Sequence, residues 1–329
     1  MPERPVIIGG CPRSGTTLLR TMLHVHPEFA IPRETRFVLE AWRRRTLFGD
    51  LRKPDNRRRL AGWIFTGEKT HANRLGLDPT EATERLVAAP PTLGSLLAEC
   101  FVMFSEKQGK PRWGDKRPVY ALQIAAIFDL FPSAHFIHIV RDPRACAASA
   151  RKLNWYDGNI VPSVQYWEAT LKAVAAMRPR LAADQLLEVR YEDLVCEPQT
   201  TLRRITRFVG AASDESTLES VLRFHEQEER LSPRFHPNLR RPLDVSRVSA
   251  WAERLSDEEV AFIEETTAPL MNAWSYEGTR QMQAPRTLRR QLQMRRKRRA
   301  SARRAIRWLD QVQTHVTHRH PIAAAPPRP

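Results

Sequence analysis

Apolar residues in this chain follow two rhythms. Short unbroken runs occur at Pro5–Gly10 (PVIIGG), Ala134–Val140 (AHFIHIV) and Gln185–Arg190 (QLLEVR). Each ends in glycine or charge and reads as a strand covered on both faces. Longer stretches repeat Leu, Val and Ile at helical spacing. Thr16–His26 carries Leu18, Leu19, Met22 and Leu23 and stops before Pro27. Further helices are expected over Thr35–Leu47, Leu93–Lys107, Val119–Phe128, Ala145–Lys152, Val164–Met177, Pro198–Val209 and Asp257–Thr266. Strands alternating with helices predict an α/β fold of three layers, α/β/α, around a central, mostly parallel sheet.

Two stretches lack this rhythm. Gly49–Pro91 is polar, Arg-rich and weakly periodic, and reads as an insertion or cap; Leu231–Val248 reads as a loop. Composition changes sharply after Gly278. The expected organisation is one domain over 1–277 and a basic tail over 278–329, partly helical or disordered.

Charge sharpens that boundary. The chain of 329 residues has a net charge of +16. Residues 278–329 hold fourteen Lys or Arg against one acid, Asp310, leaving only +3 for the rest. The body is therefore close to an ordinary domain, and the tail carries the basic character. The four cysteines, Cys11, Cys100, Cys146 and Cys196, match no zinc spacing and are too sparse for a disulfide scaffold. A reducing, cytoplasmic setting is expected. No run of about 18 apolar residues suggests a membrane span, and Met1–Gly10 does not read as a leader.

The first strand and helix are joined by Gly10-Cys-Pro-Arg-Ser-Gly15-Thr16-Thr17. Backbone N–H groups of such a loop converge with the positive end of the following helix, so an anion bound there satisfies donors that lack partners. The spacing is that of a nucleotide-binding P-loop, with Thr16 where its lysine would stand. The cation has moved inside the loop, to Arg13. A single phosphosulfate, held by one Arg, hydroxyls and amides, fits this loop without a metal.

These residues resemble those of the sulfotransferases that use 3′-phosphoadenosine 5′-phosphosulfate, particularly the branch with the tyrosylprotein sulfotransferases and their bacterial relatives. The match runs through the loop, His26-Pro27, Glu34-Thr35-Arg36, Asp115-Lys116 and Arg141-Asp142-Pro143 with Ser149 eight residues after Arg141. It covers roughly residues 5–275 and implies a P-loop-type fold. The resemblance implies that Arg13, Ser14, Gly15, Thr16 and Thr17 hold the 5′-phosphosulfate and that Arg141 and Ser149 hold the 3′-phosphate. Tyr191, in Val189-Arg-Tyr-Glu-Asp-Leu194, would touch the same side. It further implies a basic residue near Ala250 at the cofactor, for which Arg240, Arg241 and Arg247 are candidates.

In-line transfer at sulfur requires a base for the acceptor proton and a cation near the bridging oxygen. The resemblance gives the base to Glu34 and the cation to Lys116, with Arg13 sharing its work. Arg36 would orient the acceptor, a hydroxyl or amine of unidentified origin. Asp115 is placed to pair with Lys116. His24 and His26 read as packing or surface residues.

Two other functions fit the bare sequence. A P-loop kinase or NTPase would need the missing lysine. A polyanion-binding protein would act through residues 286–316, where Arg286–Arg307 holds eleven Lys or Arg and no acid. That segment reads as a basic helix on an anionic membrane surface, a helix docked on the body, or a solvated tail. No specific nucleic acid is expected.

Overall fold

A computed structural model describes residues 4–151, 153, 157–227, 237–279, 283–300 and 322–324. The strands are β1 (Val6–Gly10), β2 (Phe29–Ala30), β3 (Arg112–Lys116), β4 (His135–Val140) and β5 (Leu186–Arg190). The helices begin with α1 (Thr16–Val25), α2 (Phe37–Arg43), α3 (Pro54–Thr66), α4 (Pro79–Ala88), α5 (Leu93–Lys107), α6 (Val119–Leu122) and α7 (Ile124–Leu130). They continue with α8 (Pro143–Ala150), α9 (Val161–Met177), α10 (Tyr191–Cys196), α11 (Pro198–Val209), α12 (Glu215–Leu222), α13 (Phe224–Gln227) and α14 (Asp257–Ala273). A last helix covers 286–300.

The sheet is parallel throughout, in the order β2-β3-β1-β4-β5. Successive β1 side chains enter opposite cores, as the pleat demands. Ile7 joins a cluster with Phe37, Phe101 and Ile127, whereas Val6 and Ile8 join one with Leu19, Leu202 and Leu218. The architecture is the expected three-layer α/β/α. From β1 the chain passes by α1 toward β2 and β3; from β4 it passes by α8 toward β5. Adjacent strands thus send their connections opposite ways, which opens a crevice beyond the C-terminal ends of β1 and β4.

Local expectations hold in part. Asp142 caps α8, accepting from Arg144 N at 2.8 Å, with Pro143 at the first position. The helix expected over Val119–Phe128 is two, broken at Gln123, and the one over Thr35–Leu47 begins only at Phe37. Segment 49–91 holds α3 and α4, whose Leu60, Ile64 and Leu86 are buried in the first core. The many arginines occupy the outer faces of these helices and mask the apolar stripe from a composition scan. In 231–248 the structure describes 3₁₀ turns at Pro237–Arg240 and Val245–Arg247; 231–236 lies outside the described residues.

The tail helix over 286–300 docks on α14, burying Leu292 among Phe262, Ile263 and Val260. Arg289 pairs with Glu265 and Arg296 with Glu168, each at 2.6 Å. The remainder of the helix expected over 286–316, from 301 on, falls outside the described residues. Ile322–Ala324 returns to the body: Gly94 N donates to Ile322 O at 2.8 Å, and Ala324 N donates to Leu130 O at 2.7 Å. Gly94 permits this approach, because a Cβ there would collide with Leu130 O and Ala324 N. Among the described residues, no helix is long and apolar enough to cross a membrane.

Candidate active site

The crevice is built from three strand ends. β1 delivers the glycine-rich loop, β3 ends on Lys116 and β4 is followed at once by Arg141. Gly15 caps α1 with φ 99° and ψ 7°, a left-handed conformation that glycine adopts without strain. Arg13 also has positive φ, 72°. Within the loop Ser14 and Thr16 are buried and Thr17 is half-buried.

The side chains gather in two groups. In the first, Lys116 Nζ donates to Glu34 Oε1 at 2.5 Å and to Thr17 Oγ1 at 3.1 Å. The cation absent from the P-loop therefore arrives from β3, beside the first turn of α1. Lys116 is buried and Glu34 half-exposed. Burial pushes the Lys116 ammonium below its ordinary range, and Glu34 works against that.

In the second group, Arg13 Nε donates to Ser149 Oγ at 3.0 Å. Arg141 Nη1 donates to Arg13 O at 3.2 Å, and its guanidinium carbon stands 4.1 Å from the Tyr191 ring centroid. Arg141 Nη2 donates to Arg247 O at 2.9 Å. Of the three arginines considered near Ala250, Arg247 is thus the one whose backbone meets the crevice; its own side chain pairs with Asp244 at 3.1 Å. Tyr191 closes one side against Gly15, whose added Cβ would lie 2.5 Å from Tyr191 Cδ2.

Asp115 departs from expectation. Its Oδ1 accepts Lys116's backbone N–H at 2.8 Å, and its Oδ2 accepts the Tyr120 hydroxyl. The Lys116 ammonium bonds Glu34 and Thr17 instead. Burial raises the Asp115 carboxyl to about 6, against these hydrogen bonds. His24 and His26 serve the backbone: His24 Nδ1 accepts from Ile31 N at 3.1 Å, and His26 Nδ1 from Glu28 N at 3.2 Å. Burial lowers both, His24 to about 3.

Arg36 is exposed and stands outside both groups. It lines a groove of about 500 Å³ with Arg44, Trp63, Lys69 and Thr70. Sequence reasoning passed over Arg20, a buried arginine on α1 among the buried Leu19, Met22 and Leu23. A cation inside an apolar face was the available signal. Arg74 and Thr70, in a segment without visible pattern, gave none.

Two buried polar atoms bear on an anionic ligand. Ser14 Oγ and Arg141 Nε have no hydrogen-bond partner, and a buried unpaired donor is costly. Both belong to the crevice, which therefore fits a group rich in acceptor oxygens. Among the described residues, no cluster of three or more His, Cys, Asp or Glu has metal-binding geometry.

A model of the family described as "Sulfotransferase family" matches residues 5–215. The chain is 27% identical over 283 residues to the protein-tyrosine sulfotransferase A of Caenorhabditis elegans, covering 83% of this chain and 67% of the relative. It is 25% identical over 292 residues to the protein-tyrosine sulfotransferase of Drosophila melanogaster, covering 84% and 52%. The chain thus spans from about half to two thirds of the length of these curated relatives. Among solved structures, the sulfotransferase domain from the Synechococcus PCC 7002 olefin synthase gives a TM-score of 0.57 at 23% identity, covering 84% of this chain and 96% of that one. The sulfotransferase domain from the curacin biosynthetic pathway gives 0.57 at 19% identity, covering 85% and 99%. These two establish the fold.

Proposed function

The chain belongs to the sulfotransferase family, and from that premise we propose that it moves a sulfuryl group from 3′-phosphoadenosine 5′-phosphosulfate to a hydroxyl or amine acceptor. The observation that carries this reading is Lys116 Nζ, held between Thr17 Oγ1 and Glu34 Oε1 at the mouth of the anion loop. A cation, a hydroxyl and a carboxylate converge where an acceptor meets the donor.

The donor supplies a sulfuryl group on a phosphate leaving group. Backbone amides of the loop, Arg13, Ser14, Thr16 and Thr17 hold the 5′-phosphosulfate at the N-terminus of α1. Arg141 and Ser149 hold the 3′-phosphate, with Tyr191 packed beneath the guanidinium. Glu34 takes the acceptor proton as the new bond to sulfur forms. Lys116 and Arg13 stabilise charge on the departing phosphate oxygen. Arg36 orients the acceptor from the groove beside α2.

Calorimetric titration with 3′-phosphoadenosine 5′-phosphate tests the donor side. Micromolar binding by wild type, lost in Arg13→Ala and in Arg141→Ala, is expected. A folded wild type that binds none refutes the reading. Transfer of label from the donor to a panel of a tyrosyl peptide, a phenol, an alcohol and an amine then identifies the acceptor class, and Glu34→Gln should abolish transfer to whichever is used.

A second contact concerns the tail. The 286–300 helix turns Leu292 to the body and leaves Arg290, Arg295, Lys297 and Arg298 exposed. We propose that this face meets an anionic membrane surface mainly by charge, since Leu288 and Leu292 are already packed on the body. Each such cation contributes about 1 kcal/mol near an anionic bilayer at low salt. Equal sedimentation with anionic and neutral liposomes would exclude it. The four free thiols, three of them buried, support a reducing, cytoplasmic setting.

A further inference from the structure

The segment carrying Glu34 is gripped from two sides. From α1, buried Arg20 donates its Nε–H to Ile31 O at 2.8 Å and to Pro32 O at 3.2 Å. From the helical segment 49–91, Arg74 Nη1 donates to Glu34 O. Thr70 O accepts from Arg36 N at 2.7 Å, and Thr70 Oγ1 is anchored to Ile64 O at 2.7 Å. His71, at φ 55°, makes the left-handed turn that brings Thr70 and Arg74 to this segment together. These hydrogen bonds are made to backbone, so they fix where the Glu34 side chain starts; the Arg74 charge also attracts the Glu34 carboxylate.

Such a grip has work to do here. A glutamate side chain has three free torsions and loses substantial entropy when held. Glu34 is half-exposed, so burial alone does not hold it. Its carboxylate nevertheless sits 2.5 Å from a buried ammonium at the end of β3. Misplacing such a group by about 1 Å costs on the order of 10²-fold in rate.

We propose that Arg20 and Arg74 are positioning residues for Glu34. Arg20 ties the Glu34 segment to the helix at the donor cradle. Arg74 ties it to the segment that borders the groove at Arg36 and Thr70. Donor side, base and acceptor side thereby share one frame. The role rests on Glu34 being the base proposed above.

The test uses the full chain labelled with ¹³Cε-lysine. The Lys116 signal is assigned by its loss in Lys116→Arg and followed through a pH titration. Glu34→Gln should lower the Lys116 midpoint, because the carboxylate that holds it up is gone. Arg74→Met should also lower it, by about half a unit or more, and should add nothing in the Glu34→Gln background. Arg74 is exposed, so this variant leaves the core intact. Arg20→Lys keeps the charge but loses the fork, and should shift the midpoint likewise if circular dichroism shows it folded. With the tyrosyl peptide as probe, kcat in Arg74→Met should fall about tenfold or more, while affinity for 3′-phosphoadenosine 5′-phosphate stays within about twofold. A Lys116 midpoint unmoved by Arg74→Met but lowered by Glu34→Gln would overturn the positioning role alone. Wild-type turnover in Glu34→Gln would overturn the base assignment, and this role with it.

Discussion

Replacing Gly15 by alanine probes the cradle at its tightest point. Two costs add. An L-residue held at φ 99° pays left-handed strain of about 1–2 kcal/mol. The new Cβ would also lie 2.5 Å from Tyr191 Cδ2, and overpacking of this kind costs about 1–3 kcal/mol. The expected destabilisation is therefore about 2–5 kcal/mol. The Tyr191 ring must also retreat, and Arg141 rests on it at 4.1 Å. Losing one charge-assisted contact to a phosphate weakens binding by about 1.5–3 kcal/mol, roughly 10- to 150-fold. Urea unfolding reads the first effect, and calorimetry with 3′-phosphoadenosine 5′-phosphate reads the second. Adding Tyr191→Ala should relieve the steric part and leave the backbone strain. A Gly15→Ala protein with wild-type stability and affinity would refute both the geometry and the site.

Other outcomes follow from single groups. Ser14→Ala removes a buried hydroxyl that lacks a protein partner; stability should hold or rise by up to about 1 kcal/mol while donor-product affinity falls several-fold. His138 is fully buried and its imidazole is pushed down to about 3, so the unfolded chain takes up a proton that the folded one refuses. Stability should therefore fall as pH drops below 6.5, by about 2 kcal/mol at pH 5 from this group; His138→Gln should flatten that slope in urea titrations at pH 7 and 5. Gly94→Ala should expel Ile322–Ala324, cost more than the about 2 kcal/mol of two lost hydrogen bonds because its Cβ would still collide with Leu130 O, and speed tryptic loss of the end of the chain.

Much of the frame was legible because buried parallel strands announce themselves. β1 and β4 are apolar runs flanked by turn residues, and Asp142-Pro143 marks a helix start. β3 was hidden: Arg112-Trp-Gly-Asp-Lys116 is mostly polar yet wholly buried, because Arg112, Asp115 and Lys116 each meet polar partners and only Trp113 enters the core. The two-residue β2 lies below any periodicity. Motif order singled out Arg13, Lys116, Arg141 and Ser149, whose side chains the structure places along the crevice. The Asp115 partner was mistaken, since adjacent residues on a strand point to opposite faces. Arg20 and Arg74 bond backbone carbonyls, which no residue pattern displays.

The strand order also bears on how the chain is made. β1 is central, yet its partners lie far downstream: Val6 aligns with Gly114 on one side and with His135 on the other. At translation rates of about 5–20 residues per second, the first strand waits roughly 6–26 s for its second neighbour. Until β3 is made, VIIGG, buried in all five positions at the end, stands as an open edge on both sides, and one edge stays open until β4 follows. The strand that fixes the anion loop is thus the first of the five to emerge and the one that waits longest for its neighbours.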